Sequence, residues 1–301
     1  MSKFGNKEID AALDSIDKIN PFATYLSDST LSRVGGWIDT GSYVLNAIVS
    51  GSIHGGIPKG RVTMMGGESM TGKTLFVQKI LANAQKEGLI PVIFDTENAV
   101  DPEGSERMGL DVSKVKYVPC ITIEQTRNAL FKFLTAVKEK GLEGKFIIAI
   151  DSLGNLQSEL EHSRMGKDSM SSDMGTKARS MKSLMQTCTN LGATTQTTIL
   201  CTNHVYDDPT AMFPSIEKNM PGGKSIIYLP SVTIQLARKP MKSDGGKTMD
   251  AETAVGQKNY AGILIRALTR KNRFIKQYLK VKCSFHFRLD LIDTTVYLIL
   301  L

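Results

Sequence analysis

Cysteine is scarce in this sequence. The four present, Cys120, Cys188, Cys201 and Cys283, are scattered and form no C-x-x-C pair. That spacing argues against a zinc site or a disulfide framework and fits a reducing, cytoplasmic compartment. Buried small hydrophobes are the plain expectation for all four. No run of eighteen apolar residues occurs, so neither a transmembrane helix nor a membrane partner is expected. The opening residues, Met1-Ser2-Lys3-Phe4-Gly5-Asn6, show no signal segment. Internal repeats and low-complexity tracts are missing too. Acidic residues are absent from one long stretch: Arg266 to Arg288 holds eight Lys/Arg and no Asp or Glu. With a net charge of +7, polyanions are natural partners, although a solvated basic strand pair explains the stretch equally well taken alone.

What is present centres on Gly67-Glu68-Ser69-Met70-Thr71-Gly72-Lys73-Thr74, a complete G-x-x-x-x-G-K-[ST] phosphate loop. Its glycines let the backbone curl so that several N–H groups face one anion. The next helix adds its positive dipole end. Lys73 can reach β- and γ-phosphates, and the Thr74 hydroxyl can hold Mg²⁺. Context supports the motif. Arg61–Met65 predicts a short buried strand before it, and Leu75–Ala84 a helix after it.

The rest of the chain alternates. Leu89–Phe94, Phe146–Ile150 and Thr197–Cys201 predict apolar strands. Glu124–Lys138 and Met174–Asn190 predict helices, as does Val44–Ile48. Apolar strands separated by helices imply an α/β fold with a mostly parallel central sheet flanked by helices. Ligands then bind beyond the carboxyl ends of the strands. Ile226–Ala237 and Gly262–Val281 predict later strands, and Lys242–Lys258 a polar loop. Residues 1–35 form a separate segment. Ile9, Ala12, Leu13, Ile16 and Ile19 share one helical face there, which must dock on the core or a neighbouring subunit.

Three strand ends carry polar residues toward the expected crevice. Phe94-Asp95-Thr96-Glu97 offers Glu97 to polarise the water attacking a γ-phosphate, with Asp95 the next candidate. Ile150-Asp151 is the usual second nucleotide motif, Asp151 binding Mg²⁺ through water. Thr202-Asn203-His204 can sense the γ-phosphate, and a long loop, Val205–Pro221, follows it. The residues alone leave other P-loop chemistries open, among them a hexameric motor or clock-type ATPase, a phosphotransferase and a slowly hydrolysing filament protein.

Together these motifs resemble the RecA recombinase family, and most closely its phage UvsX-like branch, over roughly residues 35–285. Gly55–Arg61 is similar to the family's entry to the phosphate loop. Phe94–Pro102 is similar to the segment bearing its catalytic glutamate and, at Asp101, an adenine contact. The resemblance implies a RecA-type P-loop ATPase core over 36–288 that uses ATP and Mg²⁺. It implies filaments on single-stranded DNA, pairing with homologous duplex DNA, and single-strand-binding and mediator proteins as accessory partners, in the cytoplasm of a bacterial host. Two loops would bind DNA. The first spans about Glu159–Arg179, with Met174, Gly175, Lys177 and Arg179. The second is Val205–Gly223, with Met212, Phe213, Lys218, Gly222 and Gly223. Lys271 and Arg273 resemble the basic pair that reaches the γ-phosphate of an adjacent subunit. Two departures stand out. Gly104 takes the position of an aromatic that stacks on adenine, and 289–301 resembles neither the C-terminal domain nor the acidic tail expected there, as after a truncation or a shifted reading frame.

Overall fold

A computed structural model of the protein describes residues 5–20, 22–29, 31–164, 174–207, 218–242 and 260–286. The chain divides after Gly35 into two compact units. The first contains helix α1 (Lys7–Asp17), capped by the Asn6 carboxamide oxygen, which accepts the Glu8 N–H at 2.9 Å. Ile9 and Ile16 on its apolar face are exposed, and no residue of α1 is buried.

The second unit opens with β1 (Trp37–Ile38), α2 (Tyr43–Ser50) and β2 (Ile57–Pro58), the two strands pairing antiparallel. Gly56 is required at this crossing. Its φ is +142°, and a Cβ there would sit 1.8 Å from the Ile38 carbonyl oxygen. Next come β3 (Val62–Gly67), α3 (Lys73–Lys86), β4 (Ile90–Asp95), α4 (Pro102–Arg107) and β5 (Lys116–Pro119). They are followed by α5 (Ile123–Glu139), β6 (Phe146–Asp151), α6 (Glu159–Arg164), α7 (Met174–Thr194) and β7 (Thr198–Asn203). The last elements are α8 (Ser225–Tyr228), β8 (Val232–Lys242), β9 (Tyr260–Asn272) and β10 (Lys280–His286).

Eight strands form the main sheet in the order β10-β9-β8-β3-β7-β6-β4-β5. The run from β8 to β5 is parallel throughout, and β9 and β10 extend it antiparallel. Such parallel strands are buried on both faces, and β6 shows it residue by residue. Ile147 and Ala149 join the core beneath α2 and α3, while Ile148 and Ile150 join the core with α5 and α7. Helix α5 starts where the Thr122 hydroxyl accepts the Gln125 N–H, and it buries Ile123, Thr126, Leu130, Leu134 and Val137 at helical spacing. The parallel sheet flanked by helices is therefore as expected.

One sequence expectation is corrected at the C-terminal side. Ile226–Tyr228 belongs to the short helix α8, so β8 starts only at Val232. Within Gly262–Val281 the turn Arg273–Leu279, whose position no Gly or Pro marks, brings Lys280 opposite Leu268, giving the antiparallel strand pair that the basic stretch allowed. The polar loop expected over Lys242–Lys258 lies almost wholly outside the described residues. Among the described residues no helix is long and apolar enough to cross a membrane.

The sheet makes a quantitative forecast. Ile148 is completely buried in the central strand, whereas Ile90, which opens β4, is 46% exposed. Ile148→Ala should lower unfolding free energy by about 2–5 kcal/mol, through lost burial and a cavity. Ile90→Ala should cost under about 1 kcal/mol. Denaturant titration of both variants checks this, and equal midpoints would contradict the assigned sheet interior.

Candidate functional site

The carboxyl ends of β3, β4, β6 and β7 lie side by side, with Gly66 in register with Asn203 and Asp95 with Asp151. The phosphate loop and the polar strand ends start from this edge. β3 runs into the phosphate loop, and α3 begins at Lys73. The loop's curl needs its glycines. A Cβ on Gly67 would lie 2.4 Å from the Thr71 hydroxyl, and Gly72 has φ +86° where the chain enters α3. Thr71 donates to the Glu68 carbonyl at 2.8 Å. Ser69 completes the turn, and Met70 at its tip is exposed, with φ 60°.

Lys73 is nearly buried. Its ammonium donates to the Gly67 and Glu68 carbonyls, each at 2.9 Å. Burial lowers its pKa, opposed by Asp151, Glu97 and Glu68. Thr74 donates to Asp151 Oδ2 at 2.7 Å, and Thr202 on β7 donates to Asp151 Oδ1. Burial raises the Asp151 pKa, those two hydroxyls pull it down, and the negative charges of Glu97 and Asp95 push it up again. A cation beside Asp151 would relieve that repulsion.

The donor set suits Mg²⁺, which takes oxygen ligands and is typically held by one or two protein groups plus phosphate and water. Among the described residues no three His, Cys, Asp or Glu side chains converge as a metal cage. A Thr74–Asp151 site needs none.

Glu97 stands at the mouth of the crevice. Its Oε1 accepts the Ser152 hydroxyl at 2.9 Å and lies 3.0 Å from His204 Nε2. The structure thus brings Lys73, Thr74, Glu97, Asp151 and His204 to one strand edge. Asp95 is a different kind of residue. It is buried, and its oxygens accept the N–H groups of Glu97 (2.9 Å) and Val100 (3.2 Å) and the Tyr117 hydroxyl (3.2 Å). Asp95 shapes the turn that presents Glu97. Sequence reasoning assigned no role to Thr96 or Ser152, and it did not join Thr202 to Asp151. Thr96 N–H bonds the Asp151 carbonyl at 2.8 Å, and its hydroxyl accepts the Ser152 N–H at 2.9 Å, so it ties β4 to β6 beyond the sheet. A cluster of hydroxyl residues just after apolar strands was the available signal.

The remaining candidates are more dispersed. Asp101 caps α4, accepting the Gly104 N–H at 2.7 Å, with Arg107 3.8 Å away. A Cβ on Gly104 would come within 2.9 Å of that capping oxygen. The first expected loop is largely helical where described. Lys177 and Arg179 lie in the opening turns of α7, which also include Met174 and Gly175. Lys177 pairs with Glu161 of α6 at 3.6 Å, and Arg179 is exposed. Met212 and Phe213 lie outside the described residues. Lys218, at the second loop's base, bonds Glu68 and also Asp207 (3.0 Å). Gly222 and Gly223 have φ +97° and +79°, and a Cβ on Gly222 would press Met181 at 2.8 Å. Lys271 donates to the Tyr228 and Pro230 carbonyls of its own chain. Burial, then Arg273, lowers its pKa to about 8. Arg273 is exposed and electrostatically close to Arg61.

Comparison with known proteins agrees with this geometry. The family described as RecA N-terminal domain matches residues 7–266. Protein RecA of Frankia alni is 32% identical over 254 residues, covering 83% of this chain and 69% of that protein. Protein RecA of Chlorobium chlorochromatii is 29% identical over 258 residues, covering 83% and 67%. The match spans the phosphate loop and each polar strand end described above, and on that extent the chain belongs to the RecA family, whose members are DNA-dependent ATPases that work with ATP and Mg²⁺ and form filaments on DNA.

Proposed function

We propose that this protein is an ATP-dependent recombinase that polymerises on single-stranded DNA and promotes homologous pairing and strand exchange with duplex DNA. The phage UvsX-like branch is the proposed affiliation, with action in a bacterial host's cytoplasm alongside single-strand-binding and mediator proteins. The observation that carries the reading is the joining of Thr74, Asp151, Glu97 and His204 at one sheet edge beside Lys73.

In this reading the backbone N–H groups of residues 67–74 cradle the phosphates, and Lys73 turns from its two carbonyls toward them. Thr74 and Asp151 would hold Mg²⁺, the latter through water, and the ion would supply charge neutralisation at the phosphoryl oxygens. Glu97 orients the attacking water and accepts its proton, held in place by Ser152 and reporting to the second loop through His204. Asp101 contacts the adenine. Lys271 and Arg273 reach the γ-phosphate of a neighbouring subunit and stabilise developing charge there. DNA binding uses Met174, Gly175, Lys177 and Arg179 in the first region. The second contributes Met212, Phe213, Lys218, Gly222 and Gly223, its cations meeting phosphates and its apolar tips wedging between bases.

Phosphate release with and without a single-stranded oligonucleotide tests the function. Wild type should be stimulated, and Lys73→Ala should lose nucleotide binding and hydrolysis. Glu97→Gln should bind ATP and DNA yet hydrolyse on the order of 10²-fold more slowly. The amide oxygen can still accept from Ser152 and His204, so only the charge and basicity are lost. Turnover indifferent to DNA would favour a motor or phosphotransferase, and a fast Gln variant would remove Glu97 from the chemistry.

Binding to single-stranded DNA should depend steeply on salt and weakly on sequence. With about two or three phosphates neutralised per protomer, log K should fall against log salt with a slope of roughly −1.4 to −2.1. A flat titration would exclude the basic groups from the interface.

The Lys271 pKa near 8 has a definite sign. Its side chain is charged below that pH and neutral above it. The kcat/KM for DNA-stimulated hydrolysis, which reports the protomer before Lys271 meets a phosphate, should therefore decline from pH 7 to 9 with a midpoint near 8. Lys271→Arg, charged throughout, should flatten that limb. The same decline in both proteins would assign the titration to another group.

A further inference from the structure

Lys218 is separated from the phosphate loop by 150 residues of chain, yet its ammonium rests on Glu68. Its position is fixed from several sides. The Lys218 N–H donates to Gln235 Oε1 at 3.0 Å, and Arg270 donates to the Lys218 carbonyl. One step along, Asn219 and Tyr206 exchange two backbone hydrogen bonds, each 2.9 Å, closing the base of the second loop. Asp207, at the opposite end of that loop, is the other carboxylate on the Lys218 ammonium. Met220 is buried against Gly66, where a Cβ would meet its Cε at 2.2 Å. Asn203 Nδ2 donates to the Pro221 carbonyl at 3.0 Å. The stem 218–221 therefore rides on the strand and loop that bind phosphate.

Glu68 touches both ends of this connection. Its carbonyl accepts the Lys73 ammonium and the Thr71 hydroxyl, while its carboxylate takes Lys218. A phosphate entering the loop competes for Lys73 and removes one of the bonds that orient Glu68. A nucleic-acid phosphate near the second loop competes for Lys218. Because Glu68 is about half exposed, its pairing with Lys218 is weak enough for either competitor to break.

We propose that Glu68 and Lys218 form a latch between the phosphate loop and the stem of the second loop, opened by a nucleic-acid phosphate that competes with Glu68 for the Lys218 ammonium. Glu68 is then a positioning residue rather than a catalytic one. Linkage requires the effect to run both ways: whatever loosens Glu68 at the phosphate loop frees Lys218 for DNA, and DNA on Lys218 loosens the phosphate loop. The inference rests on the DNA-binding reading above and adds the means by which the two sites communicate.

The test is a double-mutant cycle on the full chain. Fluorescence anisotropy of a labelled oligothymidylate is measured with and without a slowly hydrolysed ATP analogue, for wild type, Glu68→Gln, Lys218→Gln and the double variant. Glu68→Gln should bind the oligonucleotide about two- to fivefold more tightly without nucleotide, the range an exposed ion pair can account for. Its gain in affinity on adding the analogue should shrink correspondingly. In the Lys218→Gln background the same Glu68 substitution should change nothing, since its effect passes through Lys218. An equal effect in both backgrounds, or no effect in either, overturns the latch while leaving the DNA-binding reading intact. Wild type that binds no oligonucleotide overturns both.

Discussion

A single buried carboxylate organises this protein. Asp151 is only 4% exposed, and an ionised acid in that position is tolerated only when its oxygens are satisfied. One oxygen takes Thr74 from the start of α3, the other Thr202 from the end of β7. Hydrogen bonds to a charged group stabilise by roughly 1.5–3 kcal/mol each, so the two draw three distant elements to one point. The phosphate loop, the second nucleotide motif and the entrance to the second loop are thereby held in register before any ligand arrives. Preorganisation of this kind lets a site stabilise developing charge without reorganising.

Around that point the acids divide their work by burial. Asp95 is sealed beneath the turn and spends its oxygens on backbone N–H groups and Tyr117. Glu97, two residues on, remains partly exposed and is held by Ser152 and His204. A buried, fully bonded carboxylate shapes backbone, and an exposed, restrained one is available to water. The cations divide similarly. Lys73 and Lys271 lie against carbonyls of their own chain, and Lys177 and Lys218 are paired with acids. Each has an intramolecular partner, which under the proposed function a phosphate would replace.

The sequence revealed far more of this than its low cysteine and ordinary composition suggest. The phosphate loop was readable because its glycines and lysine are fixed by local backbone geometry. Strands β4, β6 and β7 were readable because runs such as Phe146–Ile150 are apolar at every position, the mark of burial on both faces. Less was readable where local pattern is silent. The turn dividing β9 from β10 has no glycine or proline. Helix α7 does begin at Met174, where the residues predicted it, although the family resemblance laid a DNA-binding loop over its first turns. Asp95 and Glu97 looked alike as strand-end acids, since burial is not written in residue type.

By itself the sequence determined the central apolar strands and the long helices, the curl of the phosphate loop, and which polar residues end those strands. These follow from periodicity, glycine geometry and side-chain chemistry acting over a few neighbours. Only the tertiary structure decided which of those residues meet. The Glu97–His204 contact spans 107 residues and the Glu68–Lys218 contact 150. The strand order that creates both, with β3 between β7 and β8, is set by packing two cores onto opposite faces of one sheet. Contacts over such separations depend on where whole strands are laid down, and no local pattern encodes that placement.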